Sequence, residues 1–248
     1  MAYLTYINDK DLENHIKQTL DIYRDTLKKI DLAKFNDNIV DPIKLTFDSI
    51  VYDKKLKTIL NEEIARQRDK TNTNAIGYFH QNIFRYIKNC SVPAHGFDII
   101  FDNGSNKYYV ELKNKHNTMN KGGADSVYMN LQNQALKDPN CICALVEVIA
   151  KNSQNIKWER TINGNKMGND RIRKISIDKF YEIVTGEKNA FANLCKVLPQ
   201  VITKIVDQTI ANKREKDTVL KELKQKDKNL LKSLYLLAFK TYEGFDNF

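Results

Sequence analysis

The chain is short of cysteine, proline, glycine and long apolar runs, and each shortage excludes something. Four cysteines in 248 residues (Cys90, Cys141, Cys143 and Cys195) include no C-x-x-C pair. Cys141 and Cys143 fall in an apolar, strand-like run, where an i, i+2 disulfide is geometrically unfavourable. The cysteines therefore read as small buried hydrophobes in a reducing, cytoplasmic setting. A zinc site built on Cys90 and His95 would lack two further ligands at a recognisable spacing. Nine glycines and four prolines rule out collagen-like and low-complexity chains. No stretch approaches 18 consecutive apolar residues, so neither a transmembrane span nor a membrane partner is expected. The opening residues, MAYLTYINDKDLEN, meet acidic and amide side chains too early for a secretory signal.

What is present describes a globular protein: 42% hydrophobic and 29% charged residues. A chain of this length buries roughly 70–75% of the surface its unfolded form exposes and needs no covalent staples to fold. Forty Lys and Arg against 31 Asp and Glu leave a formal charge of +9. That excess points to a polyanionic partner, although it says nothing about fold.

Apolar periodicity predicts a helical first third. Leu12, Ile16, Leu20, Tyr23 and Leu27 recur at three- and four-residue steps from Asp11 to about Ile30. A second helix is expected over about Lys44 to Arg68, with Phe47, Ile50, Val51, Ile59, Leu60 and Ile64 inward. The polar run DKTNTN breaks it. A third helix then carries Ile76, Phe79, Ile83 and Ile87 on one stripe. After Pro93 the pattern changes. FDIIF and KYYVELK are aromatic and β-branched segments flanking the turn formers Asp102 to Asn106, a hairpin signal. A loop (NKHNTMNKGG), a helix over about Ala124 to Lys137 and a buried strand, CICALVEVIA, follow. Residues 152–175 form a polar, basic insertion with turn signals at Asn163-Gly164-Asn165. The remainder is helical, and Leu220, Leu223, Leu230, Leu234 and Leu237 mark one long amphipathic helix. The expected fold is mixed α/β: a small mixed sheet flanked by helices. The chain reads as one domain, 1–248, with its core at about 60–150 and helical additions at both ends.

The chemistry concentrates in GFDIIFDNGSNKYYVELKNKHNT. Strand side chains alternate faces, so Asp98, Ile100 and Asp102 share one side, as do Tyr109, Glu111 and Lys113 on the next segment. A hairpin closing symmetrically about Gly104–Ser105 sets Phe101 against Tyr108 and Asp98 against Glu111. Opposed Cβ atoms in such a ladder lie about 4.5–5.5 Å apart. Two carboxylates at roughly 5 Å repel by about 3 kcal/mol at an effective dielectric near 20. A divalent cation between them turns that penalty into a binding site. Lys113, on the same face, brings an ammonium that could orient or deprotonate a water or balance charge on phosphorus. A slip of one residue would put Val110 or Leu112 opposite Asp98 and destroy the arrangement. The plain alternative is three ordinary polar residues on a solvated hairpin face.

Asp98, twelve intervening residues and Glu111-Leu112-Lys113, in a helix–hairpin–helix–strand context, resemble the PD-(D/E)XK nuclease superfamily. Gly96-Phe97-Asp98 stands where a Pro-Asp pair is usual. The strings RQRDKTNTNAIGYFHQNIF (66–84), VELKNKHNTMN (110–120) and ISIDKFYEIVTG (175–186) look similar to type II restriction endonucleases that cut sites of the G-G-N-C-C kind. The resemblance implies a restriction-endonuclease-like core in which Asp98, Glu111 and the Leu112 main-chain carbonyl hold Mg²⁺ (Mn²⁺ substituting) and Lys113 acts on the attacking water. It also implies double-stranded DNA as substrate, 5′-phosphate ends, a twofold homodimer and a cognate DNA methyltransferase protecting the host. Related nucleases often present a helical acid to the metal region, which makes Glu63 a candidate outer ligand; a surface helix charge is the other reading, and Glu62 is equally eligible.

The remaining candidates concern DNA. His80 and Gln81 fall at the edge of a helix stripe, where one could reach the backbone or the active site. Lys115, His116, Asn117, Asn120 and Lys121, with Gly122-Gly123, form a donor-rich loop suited to phosphate contact or merely solvated. Arg171 and Arg173 could each fork onto guanine O6 and N7, with Asn163, Asn165, Lys166 and Asn169 as further donors. A basic, exposed connection is the alternative. The rival functions are a structure-specific repair or recombination nuclease on the same core and a non-catalytic basic DNA-binding protein.

Overall fold

The computed structural model describes residues 2–208 and 214–239. Its first elements are helices: α1 (Asp9–Asp25), α2 (Leu32–Asn36), α3 (Pro42–Val51) and α4 (Leu56–Asn82), the last ending in a 3₁₀ turn over Ile83–Tyr86. Strands β1 (Cys90–Ser91), β2 (Ile99–Asp102) and β3 (Lys107–Lys115) precede α5 (Lys121–Lys137) and β4 (Cys141–Ile149). Then come β5 (Asn155–Ile162), β6 (Asn165–Ser176), α6 (Ile177–Thr185), α7 (Ala190–Asp207), α8 (Val219–Lys226) and α9 (Leu230–Phe239). The chain separates into two compact units, Met1–Thr19 with Ile76–Ile210 and Leu20–Ala75 with Ala211–Phe248.

The first unit is built on a six-stranded mixed sheet in the order β1-β2-β3-β4-β6-β5. β2 and β3 are antiparallel, whereas β3, β4 and β6 run parallel. Parallel neighbours need a crossover, and α5 supplies it between β3 and β4. One sheet face packs under α5: Tyr128, Leu131 and Ala135 meet Cys141, Cys143, Leu145, Trp158 and Ile172 in a buried cluster. Behind the sheet, Phe84 packs on Phe180 and Tyr181 of α6, ring centroids 5.1 and 5.0 Å apart.

The second unit is helical. Its core joins Ile30, Leu32, Phe35, Leu45, Ile59, Leu60 and Ile64 to Val219, Leu223 and Leu234 from the other end of the chain. Asp31 and Asp41 cap its short helices, their carboxylates accepting from the N–H groups of Lys34 (3.0 Å) and Ile43 (2.9 Å). Pro42 occupies the first turn of α3, where its missing N–H costs nothing.

Several sequence expectations need correction. The span 44–68 is two helices, parted at Tyr52–Lys55, where Asp53 adopts φ +48°. A periodicity carried across that break loses its phase. Ile59, Leu60 and Ile64 are buried as expected, but Phe47, Ile50 and Val51 are 65–75% exposed, and Leu45 points inward instead. The DKTNTN run does not break α4. Thr71 returns its hydroxyl to the Gln67 carbonyl (3.1 Å), and buried positions on either side hold the helix against weak local propensity. α1 stops at Asp25, short of Ile30.

The polar insertion 152–175 is no loose connection but the β5–β6 hairpin. Asn163 (φ +50°) and Gly164 (φ +79°) form its two-residue turn, where two positive φ values favour Asn-Gly. The leucine series near the carboxyl end belongs to two helices. Asp227 ends α8, and the Asn229 side chain accepts the Leu231 N–H (3.0 Å) to start α9. Cys141 and Cys143 are buried and free, their sulfurs 3.7 Å apart, whereas Cys195 is exposed. Among the described residues no helix is long and apolar enough to cross a membrane.

Candidate active site

The β2–β3 register follows the symmetric closure of its turn: Ile99↔Val110, Ile100↔Tyr109, Phe101↔Tyr108 and Asp102↔Lys107. Asp98 lies one residue beyond the last pair, just outside the strand. Main-chain groups on either side of Glu111 pin it there. The Asp98 N–H donates to the Val110 carbonyl (3.0 Å), and its Oδ2 accepts the Leu112 N–H (2.7 Å). The carboxylate thus takes the hydrogen bond that a longer β2 would have met with a carbonyl. Gln81 of α4 donates its side-chain amide to the Asp98 carbonyl (3.3 Å), fixing the same residue from the helix side.

Lys113 Nζ sits 2.6 Å from Glu111 Oε1, with both side chains about a quarter exposed. Asp98 stands close enough to Glu111 and Lys113 to feel both charges. Burial pushes the Asp98 carboxyl above the ordinary aspartate value and Glu111 pushes it further; the Leu112 N–H and Lys113 only partly oppose them. A carboxylate held against burial and a neighbouring acid is poised to accept a cation. Among the described residues no cluster of three His, Cys, Asp or Glu is formed. Two neighbouring carboxylates are oxygen donors of the kind that could hold a hard, partly hydrated ion such as Mg²⁺.

The other candidates fare unevenly. His80 is half-buried beside Phe79, and burial with a lesser contribution from His15 lowers its pKa to about 4. Its imidazole is therefore neutral at pH 7. Lys115 and Asn117 are exposed beyond Glu111 and Lys113. His116 is fastened to the Ile149 carbonyl through its N–H (3.0 Å) and lies near it through Nδ1 (3.3 Å). The donor-rich loop is shorter than the sequence suggests, because Asn120 caps α5 through the Gly123 N–H (2.8 Å), and Lys121, Gly122 and Gly123 form the first helical turn.

Arg171 and Arg173 are tied down. Arg171 donates to the Asp138 carbonyl (3.0 Å), and Arg173 donates to the Asn155 side chain (3.0 Å) and carbonyl (2.6 Å). Glu63, only 6% exposed, is neither a surface charge nor a free ligand. The Arg66 guanidinium grips both its oxygens at 2.5 and 2.6 Å, and Gln67 adds a third donor at 3.3 Å. Glu62 is exposed and pairs with Lys54 (2.6 Å).

Residues 4–207 match the Eco47II restriction endonuclease family. The chain belongs to that family. It is similar to the type II restriction enzyme Sau96I of Staphylococcus aureus, with 32% identity over 91% of this chain and 90% of that one. It is also similar to the type II restriction enzyme Eco47II of Escherichia coli, with 28% identity over 89% of this chain and 97% of its relative. The six-stranded mixed sheet flanked by helices agrees with a restriction-endonuclease-like fold, and the protein is a site-specific deoxyribonuclease.

One residue of this restriction endonuclease was missed in the sequence. Glu147 of β4 pairs in register with Lys113 and is 1% exposed. Paired residues of adjacent strands face the same way, so a third acid lies on the face that bears Glu111 and Lys113. Lys174 Nζ stands 2.8 Å from its Oε1, although no well-directed hydrogen bond reaches either oxygen. The signal was available: a lone carboxylate in the otherwise apolar run ICALVEVIA has no business in a core unless something pairs with it. Glu147→Gln is expected to cost about 2 kcal/mol, because it strands the Lys174 ammonium; Lys174 remains partly exposed, which keeps the loss below that of a fully buried pair. Glu147→Leu combined with Lys174→Met should recover most of that stability in urea denaturation, and a simple sum of two single losses would count against a direct pair.

Proposed function

We propose that this restriction endonuclease is Mg²⁺-dependent and of the PD-(D/E)XK type, cutting both strands of double-stranded DNA at a short palindrome of the G-G-N-C-C kind. The observation that carries the reading is the pinning of Asp98 beside Glu111, with the Lys113 ammonium 2.6 Å from Glu111. Asp98, Glu111 and the Leu112 carbonyl would hold the ion, with Mn²⁺ able to replace it. When bound, it would neutralise charge on the phosphate undergoing substitution.

Lys113 holds the attacking water and offsets charge on the pentavalent phosphorus. The water oxygen bonds to phosphorus and gives up its proton to solvent. The bond from phosphorus to the 3′ oxygen breaks, and that oxygen takes a proton, leaving 3′-hydroxyl and 5′-phosphate ends. Lys115, His116, Asn117, Asn120, Lys121 and Gln81 line the approach: Lys115 and Lys121 as phosphate contacts, Gln81 as the support of Asp98. Asn120 acts through the helix cap it forms. Glu63 is left out of the ligand set because Arg66 occupies both its oxygens.

Two copies related by a twofold axis would cut one strand each, so that subunit symmetry matches site symmetry. A cognate methyltransferase acting on the same site would protect the host DNA. Digesting a mapped plasmid and sequencing the ends tests the whole reading. Discrete ends at one short palindrome, each with a 5′-phosphate, are expected with Mg²⁺ and absent with chelator. A smear or branch-only cleavage would favour a repair nuclease on the same core, and an inert protein with both Mg²⁺ and Mn²⁺ would favour a DNA-binding protein without catalysis.

A further inference from the structure

We infer that the tip and outer face of the β5–β6 hairpin read the DNA bases, with Glu159, Thr161, Asn163, Asn165 and Lys166 as the specificity-determining residues. The inference rests on the nuclease reading above and moves base recognition away from Arg171 and Arg173, whose guanidinium groups are engaged within the fold.

Strand direction alone would carry the hairpin tip away from the catalytic end of the sheet, since β6 runs parallel to β4 and pairs with it only over Ile172 to Ser176. The hairpin instead lies along α5. At the carboxyl end of that helix, Arg171 donates to the Asp138 carbonyl. Midway, Asn169 reaches Gln132 (3.4 Å), and Trp158 packs edge-on against Tyr128 (5.4 Å). At the amino end, Arg160 forms an ion pair with Asp125 and donates to the Lys121 carbonyl (3.4 Å). The shift in pairing between Lys157 and Glu159 bends the ribbon as it follows the helix.

The amino end of α5 comes six residues after Lys115, so the tip returns to the end of the sheet that bears Glu111 and Lys113. Packing agrees: Ile162 and Met167 of the hairpin join the same cluster as Met119, Tyr109 and Phe97, the residue next to Asp98.

The ribbon has two unlike faces. Arg160 and Met167, with Trp158 and Ile172, turn toward α5, whereas Glu159, Thr161 and Lys166 lie on the other face and Asn163 and Asn165 at the tip, all five exposed. Gly168 keeps that outer face flat: a Cβ there would lie 3.1 Å from the Lys157 chain and 3.2 Å from the Glu159 carboxylate. A two-stranded ribbon fits the major groove, where a lysine can meet guanine O6 and N7, a carboxylate accepts from cytosine N4, and amides and hydroxyls serve either pair type. In the free protein Lys166 and Glu159 lie 3.0 Å apart. Both are exposed and part at little cost, since surface ion pairs are weak. A donor and an acceptor side by side match the two partners of one G·C pair.

The test uses the full-length dimer on short duplexes carrying the plasmid-mapped site and on the same duplexes with single base-pair changes. Lys166→Gln and Glu159→Gln should each lower kcat/KM on the mapped site by about ten- to a hundred-fold, the worth of one bidentate base contact, and leave cleavage of one altered duplex nearly unchanged. Discrimination then collapses at a defined position. Arg173→Lys, measured alongside, should keep the parent's discrimination.

A uniform loss on every duplex would reduce the hairpin to a phosphate contact and overturn the inference. So would unchanged discrimination in the hairpin variants, or a change that follows Arg173 instead. A parent that cuts no DNA would instead remove the nuclease reading. In that case duplex binding in Ca²⁺ decides the inference: the same two variants should bind every sequence alike, and retained preference for one sequence would overturn it.

Discussion

Asp98→Asn is expected to lower cleavage at least about a thousandfold while raising the melting temperature of the metal-free protein. A carboxylate that helps hold a divalent ion at the scissile phosphate contributes several kcal/mol of transition-state charge stabilisation, and each 1.36 kcal/mol is a factor of ten. The stability change has the opposite sign. Burial, then Glu111, holds the Asp98 carboxyl above its ordinary value. Its pKa is thus higher folded than unfolded, and the stability linked to its proton is present below the unfolded value and lost as pH rises through the folded one. At neutral pH the ionised group strains the fold. An amide removes the charge and keeps an oxygen to accept the Leu112 N–H.

Divalent ions should reverse the order. With Mg²⁺ or Ca²⁺ at about a hundred times the dissociation constant, binding stabilises the parent by about 2.7 kcal/mol. The variant should show little of that gain. Differential scanning fluorimetry with and without metal, next to plasmid cleavage, reads both effects. A variant that melts lower than the parent, or one that still cuts, would contradict the placement of Asp98.

Arg68→Ala should destabilise the helical unit by about 3–5 kcal/mol, the loss typical of removing one partner from a buried ion pair. The guanidinium is 10% exposed, and each of its three nitrogens donates. Its Nη atoms grip both oxygens of Asp217 at 2.9 and 2.6 Å, Nε donates to the Thr26 carbonyl at 2.6 Å, and Nη2 also reaches the Lys28 carbonyl at 3.1 Å. Asp217 in turn accepts the Ile30 N–H (3.0 Å). One side chain thus fastens three segments far apart in sequence: the 26–30 loop, α4 and the approach to α8.

Lysine cannot replace it, since a single ammonium lacks the planar fork, and Arg68→Lys should recover less than half of the loss. Burial raises the Asp217 carboxyl, but Arg68 and the Ile30 N–H more than offset it, and the net value lies below the ordinary one. Its contribution is therefore present above the unfolded pKa and lost as pH falls through the lowered folded one. Urea denaturation should accordingly show the gap between parent and Arg68→Ala narrowing toward acid pH. A gap that stays constant would mean the pair acts by packing alone.

Legibility followed the range of the determining forces. The β2–β3 register could be deduced because the Asp102–Asn106 turn and two short alternating strands leave one symmetric closure. Carried one residue further, that closure would set Asp98 opposite Glu111. Its one refinement, that β2 ends at Ile99 and the Asp98 side chain takes over the next hydrogen bond, depends on where the preceding loop departs. No periodicity encodes that. The Asn163-Gly164 turn was equally visible, yet its flanking strands read as a polar insertion, because a ribbon lying on a helix buries only one side of a few residues.

Helix boundaries failed where packing outweighed propensity. Asn- and Thr-rich residues 69–74 look like a break, but buried residues before and after them hold α4 straight through. Phe47, Ile50 and Val51 look like core, yet they are exposed on a short helix that a break at Asp53 separates from the buried positions of α4. The leucines of α8 and α9 keep one spacing across two helices because both face one hydrophobic cluster.

What the amino-acid order determined by itself was local: strand alternation, turn chemistry and the meeting of an acid with an acid-x-lysine segment across one short turn. Only the tertiary structure decided which arginines are spent on the fold, that Glu63 is locked by Arg66, that Glu147 lies level with Lys113, and that the polar hairpin lies along α5. Those outcomes join residues tens of positions apart. Their partners are selected by the packing of whole elements, which no neighbour-to-neighbour preference along the chain can specify.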